Sequence, residues 1–312
     1  MRRVPVMHQS QIDDGRQAPT VGSPIPLSRS GKESGFTLVE LLVVVAIIGI
    51  LATLLIPALN QSKARAQEIT CMKNKQQLTL AWTMYSGDNE EKLAYNLASD
   101  PSVTGWSAKS NPNWVNNVMD WELSPDNTNT SFANTSLLGS YISGSPQLFR
   151  CPSDRALSPV QKRAGWNSTS GGRVRSISMN AMVGNPGSAF QWGVNTNNPN
   201  YVQFLRESDI PSPSTIFVFL DEHPDSIDDG YFLVKDGGQW VNLPGSYHNG
   251  GGSFSFADGH TVIHHWVDAS TVRPPYPDAS GLPIALRNNQ TADYQWMLRH
   301  SSVDKNPSQD RN

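Results

Sequence analysis

The sequence predicts an α+β protein shaped like a lollipop: one long N-terminal helix, first transmembrane and then amphipathic, packed on a small antiparallel β-sheet domain. Three observations predict it. Leu41 to Leu59 is an uninterrupted uncharged apolar run. Ile69, Met72, Leu80 and Met84 then recur at three- or four-residue steps or their multiples, the period of a helix face. Far downstream, Ser253-Phe254-Ser255-Phe256, an Asp258-Gly259 turn and the run His260–Val267 alternate as a hairpin does.

Taken in order, residues 1–35 form a leader rich in Pro, Ser, Gln and Gly, with no apolar period, and are expected to be disordered. The leader is basic: Arg2, Arg3, Arg16, Arg29 and Lys32 face Asp13, Asp14 and Glu33, a balance of +2. The total of −3 therefore leaves −5 on the remainder. Residues 36–86 read as one long helix, of which 36–59 would span about 36 Å, enough for a bilayer core. Pro57 sits near the end of the apolar run and is expected to bend it. Gln76 occupies an apolar slot of the second half, and Ser86-Gly87-Asp88-Asn89 ends it.

Residues 87–287 are assigned to a globular α+β domain. Its first part is Asn-, Ser- and Pro-rich loop carrying Trp106, Trp114 and Trp121, followed by strands over 173–180, 215–221 and 231–235. A polar tail, 288–312, holds one short helix over 293–299. With no clustered basic footprint, a nucleic-acid partner is not expected. No P-loop, dinucleotide fingerprint, nucleophile elbow or paired-Cys zinc motif occurs.

An apolar run behind a basic leader fits a secretory signal peptide, a plain anchor or a processed helix. A signal peptide has a shorter apolar region, and here Lys63 and Arg65 would crowd a cut at Ala64-Arg65-Ala66. A plain anchor leaves Glu40 unexplained, because a carboxylate in an apolar span costs a few kcal/mol and usually has a partner. A cut after Gly35 would give Phe36 a free amino group one helical turn before Glu40, within reach of its own or a neighbouring carboxylate. A solvated interfacial Glu is the alternative.

Gly35-Phe36-Thr37-Leu38-Val39-Glu40 followed by an apolar helix resembles the cleavage and methylation signature of type IV prepilins and type II secretion pseudopilins. The resemblance implies that a prepilin peptidase cuts after Gly35 and methylates Phe36. It further implies that Glu40 sets register between subunits and that Pro57 marks the family's bend. A second resemblance is downstream. His248, nine residues, then Asp258-Gly259 is similar to the H-x9-DG element of a group of prepilin-like proteins. Phe149-Arg150-Cys151-Pro152-Ser153-Asp154, Ile210-Pro211-Ser212-Pro213 and Asp221-Glu222-His223-Pro224-Asp225-Ser226 fit the same group.

Other residues offer chemistry. Asp221, Asp225 and Asp228 head an acidic loop that can hold calcium, as loops of some pseudopilins do, although the spacing lacks the regular calcium-loop pattern. His248, His260, His264 and His265 invite a zinc or acid–base reading, against structural hydrogen bonding. His264 and His265 are sequential and point to opposite faces of a strand. Cys71 and Cys151, on the exported side, either form a disulfide, contributing about 2–4 kcal/mol, or stay as two buried thiols. The tryptophans between 106 and 121 are expected as core or loop anchors, with sugar stacking the alternative.

The resemblance implies a structural subunit rather than an enzyme. Its helix would lie in the inner membrane with the N-terminus cytoplasmic and the globular part exported, and its partners would be the prepilin peptidase and other pilin or pseudopilin subunits. The alternative is a membrane-tethered metal- or glycan-binding module that never polymerises. Incorporation into a filament separates the two.

Overall fold

The computed structural model describes residues 35–98, 112–167, 172–277, 281–287 and 291–306. The leader before Gly35 and Trp106 lie outside them. The chain divides into two compact units, one ending at Leu55 and one beginning at Ile56.

Helix α1, Leu38–Asp88, contributes to both. In the first unit it is apolar on every side. Its most hydrophobic 18-residue window has no buried residue and is long and apolar enough to cross a membrane. The start is set by a reciprocal cap: Glu40 N–H donates to Thr37 Oγ1 (3.2 Å) and Thr37 N–H donates to Glu40 Oε2 (2.9 Å). This is the T-x-x-E arrangement that satisfies orphan donors at a helix N-terminus. Pro57 lies inside the helix, which runs on past it.

In the second unit α1 docks on a five-stranded sheet of β1 (Ile177–Asn180), β2 (Phe217–Asp221), β3 (Tyr231–Phe232), β4 (Gly251–Phe256) and β5 (Thr261–His265). The spatial order is β3-β1-β2-β4-β5. Three of the pairings are antiparallel, and the edge pair β1–β3 is parallel. The expected strands and hairpin are therefore present; β1, β2, β3 and β5 are shorter than their sequence patterns, and β4 begins two residues earlier than Ser253. A ten-residue helix α2, Ala292–Ser301, packs on the far face of the sheet.

One expectation is corrected by the structure. The stripe Ile69, Leu80 and Met84 is exposed; the face of α1 that packs inward carries Cys71, Asn74, Lys75, Leu78, Thr79, Trp82 and Ser86. The physical reason lies in the hairpin. Ser253 and Ser255 alternate with phenylalanines, yet all of β4 is buried because both faces are covered. The serine face meets α1, where Thr79 Oγ1 donates to Ser255 Oγ (2.7 Å). The phenylalanine face meets Trp266 and Trp296, with Phe254 edge-on to both at 5.8 and 5.1 Å. The serines of the sheet select Lys75 and Thr79 on the inward helix face beside Leu78 and Trp82, so hydrophobic period alone misidentifies that side.

Asn249-Gly250 is a tight turn. His248 and Gly251 exchange both backbone hydrogen bonds at 3.0 Å, and the φ angles of +51° and +83° belong to a type I′ turn. H-x9-DG is thus turn, strand and turn: His248 opens one end of β4, and Asp258-Gly259, with Gly259 at φ +88°, closes the other.

Candidate functional site

Two sites emerge, one in each unit. The first is the signature itself. Gly35 and Phe36 are exposed, Phe36 by 72%, and precede the first helical turn. The Glu40 carboxylate also accepts the Thr37 hydroxyl (2.7 Å) and so lies over the helix start.

The second site was not assembled from sequence. Cys71 and Lys75, one turn apart on α1, meet Asp221 at the end of β2, Ser253 on β4, His248 at the turn before β4, and Cys151 in the loop after Pro146–Phe149. Alternation along β2 puts Asp221 on the same sheet face as Phe219, and the register places it against Ser253. Lys75 Nζ donates to Asp221 Oδ1 (2.6 Å) and Ser253 Oγ (2.6 Å), and lies 3.0 Å from Cys71 Sγ. Asp221 Oδ2 accepts the Ser253 amide (3.0 Å) and hydroxyl (2.9 Å), and faces His248 Nε2 at 3.4 Å. Cys71 Sγ is 3.2 Å from Asp221 Oδ1, and Cys151 Sγ is 3.4 Å from His248 Nε2. Cys71, Lys75, Cys151 and Asp221 are wholly buried and His248 is 4% exposed.

Ionisation follows from burial and pairing. Burial opposes the charged form of Asp221, but Lys75 and His248 outweigh it and hold the carboxyl well below its usual range. Burial likewise opposes the Lys75 ammonium, and Asp221 more than compensates, so its pKa is raised. His248, disfavoured as a cation by burial, is raised to about 9 by its hydrogen bond to Asp221. Burial pushes the Cys151 thiol up.

The remaining sequence candidates take other places. Cys71 and Cys151 are brought together as free thiols, with no disulfide between them. Asp225 is apart from Asp221: its carboxylate accepts the Tyr276 amide (2.7 Å) and pairs with Arg273 (3.2 Å). Asp228 is exposed in the following turn. Among the described residues, the gathering of metal-ligating side chains is Cys71, Cys151, Asp221 and His248, which includes neither Asp225 nor Asp228. His260 pairs with Asp258 (2.5 Å), and His264 stacks on Trp296 at 3.8 Å. Trp114 is buried, its indole N–H donating to Asn96 Oδ1 (3.1 Å), whereas Trp121 lies under the Arg173 guanidinium.

These features define an α+β protein with, among the described residues, one helix long and apolar enough to cross a membrane, headed by an exposed, capped Gly-Phe-Thr-Leu-Val-Glu segment. Residues 30–56 match the profile of the prokaryotic N-terminal methylation motif. The chain is 41% identical over 81 residues to type II secretion system core protein G of Aeromonas hydrophila, covering 26% of this chain and 57% of that protein. It is 32% identical over 107 residues to type IV major fimbrial protein FimA of Dichelobacter nodosus, covering 31% and 67%. Core protein G of Escherichia coli (strain K12) is 41% identical over 72 residues, covering 23% and 50%. The chain belongs to the family of type IV pilins and type II secretion pseudopilins. It spans between half and two thirds of the length of these relatives. No solved structure matches it.

Proposed function

We propose that this chain is a structural prepilin-like subunit, cut after Gly35 and N-methylated at Phe36 by a prepilin peptidase. It assembles through its apolar helix into a type II secretion pseudopilus or a type IV pilus-like filament. The observation that carries the reading is the Gly-Phe-Thr-Leu-Val-Glu signature, exposed at the head of a helix with no buried residue in its apolar window. An apolar surface of that extent needs lipid before assembly and neighbouring helices after it.

Before processing, the basic leader keeps the N-terminus cytoplasmic and the globular unit exported from the inner membrane. Glu40 has two successive roles. In the uncut chain it caps α1 through Thr37. After the cut it is the anionic partner for the new Phe36 ammonium, in its own chain or a neighbouring one. The subunit is substrate, not enzyme; the peptidase and the other pilin or pseudopilin subunits are its partners.

Mass spectrometry of the mature N-terminus from the native host tests this. The expected chain begins at N-methylated Phe36. An uncut leader would overturn the reading and leave a tethered, non-polymerising module. A start near Gln67 would mean a secreted soluble protein.

A further inference from the structure

We propose that Cys71, Cys151, Asp221 and His248 form a closed tetrahedral zinc site that staples α1 to the sheet. The four donors come from four separate stretches of chain, and their ligand atoms lie within 4.8 Å of one another. Zinc bound at 2.0–2.3 Å sets its ligands about 3.3–3.8 Å apart. The contacts of Asp221 Oδ2 with Cys71 Sγ (3.4 Å) and His248 Nε2 (3.4 Å), and of Cys151 Sγ with His248 Nε2 (3.4 Å), already stand within that spacing. Hydrogen-bonding needs alone do not call for two sulfurs, a carboxylate and an imidazole to converge so tightly.

The donor chemistry selects the ion. Two thiolates and an imidazole suit zinc and exclude magnesium or calcium, which take oxygen ligands. Four protein donors leave no open position, the mark of a structural rather than a catalytic site.

Lys75 completes the electrostatics. Two thiolates and one carboxylate carry three negative charges; a divalent ion and the Lys75 ammonium cancel them, as a buried site requires. Lys75 keeps Asp221 Oδ1 and leaves Oδ2 facing His248, and Ser253 fixes the same carboxylate through its amide and hydroxyl. Such outer contacts orient a ligand and tune its affinity. A cleft of 370 Å³ bounded by Lys63, Gln67, Tyr247 and His248 borders the cluster on its His248 side.

The test uses the full mature chain, purified in detergent without chelator. Elemental analysis should find about one zinc per chain. Replacement by cobalt(II) should give the thiolate-to-cobalt charge-transfer band and the visible bands of a tetrahedral ion. Cys151→Ser and His248→Ala should each lose the ion, and Lys75→Gln should weaken it about 10- to 100-fold. If these variants fail to fold, the cobalt spectrum of the wild-type chain decides alone. A folded chain that takes up no zinc, or cobalt spectra without sulfur ligation, overturns the site. So does a denatured chain lighter by two hydrogens (a disulfide) or by one water (a Lys75–Asp221 amide). None of these outcomes depends on how the N-terminus is processed.

Discussion

Replacing Lys75 by Met removes one member of a wholly buried ion pair while nearly keeping its volume. Lys75 and Asp221 lie 2.6 Å apart with neither side chain exposed. Without the ammonium, Asp221 keeps the Ser253 donors and His248 at 3.4 Å but loses its nearer cation. Breaking a buried pair costs about 3–5 kcal/mol, and the remaining His248 contact sets the expectation at the lower end, about 3 kcal/mol. For a unit of this size that lowers the unfolding midpoint by roughly 10 °C. The assay is urea and thermal unfolding of the detergent-solubilised chain, followed by the fluorescence of buried Trp82 and Trp114, with EDTA present so that no bound ion contributes. Adding Asp221→Asn to Lys75→Met should recover about 2 kcal/mol, because the under-compensated carboxylate is gone and His248, freed of it, can stay neutral. A single variant within about 1 kcal/mol of wild type would refute the reasoning. So would a double variant that recovers nothing, since the pair would then not be the unit that the charges form.

Three further outcomes are expected. Glu40→Ala and Glu40→Gln should both reduce incorporation into filaments, measured by co-purification with sheared filaments; normal incorporation of the Gln variant alone would reduce Glu40 to a helix cap. Gly259→Ala should cost about 1–2 kcal/mol in urea unfolding, because the added Cβ meets no neighbour but the backbone stays at φ +88°. His264 and His300 flank Trp296, stacked at 3.8 and 4.2 Å, and burial lowers both pKa values below 6.5. The unfolded chain therefore binds protons first as pH falls below 6.5, so stability should decline there. His300→Phe should flatten that decline in denaturation midpoints taken between pH 7 and pH 5.

The two ends of the fold were legible for different reasons. The apolar helix and its signature are local: a run of uncharged residues and one carboxylate need no tertiary context. The β4–β5 hairpin was legible because alternation and an Asp-Gly turn are also local. Two local signals went unread, the T-x-x-E cap at Thr37–Glu40 and the Asn-Gly turn after His248. The buried site was illegible for another reason. Its members stand at 71, 75, 151, 221, 248 and 253, separations set by topology and not by any spacing rule. Cys151, Asp221 and His248 each sat in a motif noted separately, and only the register of β2 against β4 and the pitch of α1 bring them together. The inward face of α1 was misread because amphipathic reasoning assumes that the buried side is the apolar one. Here Lys75 and Thr79 face serines beside buried Leu78 and Trp82, while Leu80 and Met84 look outward.

That inverted seam bears on how the unit responds to force. An apolar helix–sheet contact is non-directional and tolerates sliding, since one methyl replaces another with little loss. The α1 seam has discrete positions: a slip of one residue would tear Lys75 from Asp221 and Thr79 from Ser255 at once, leaving each buried without its mate. Pulled along its axis, such a seam holds rigidly and then fails in a single step rather than creeping. A subunit tethered by its helix and loaded through its globular unit would behave as a brittle catch, its length fixed until the ion pair breaks.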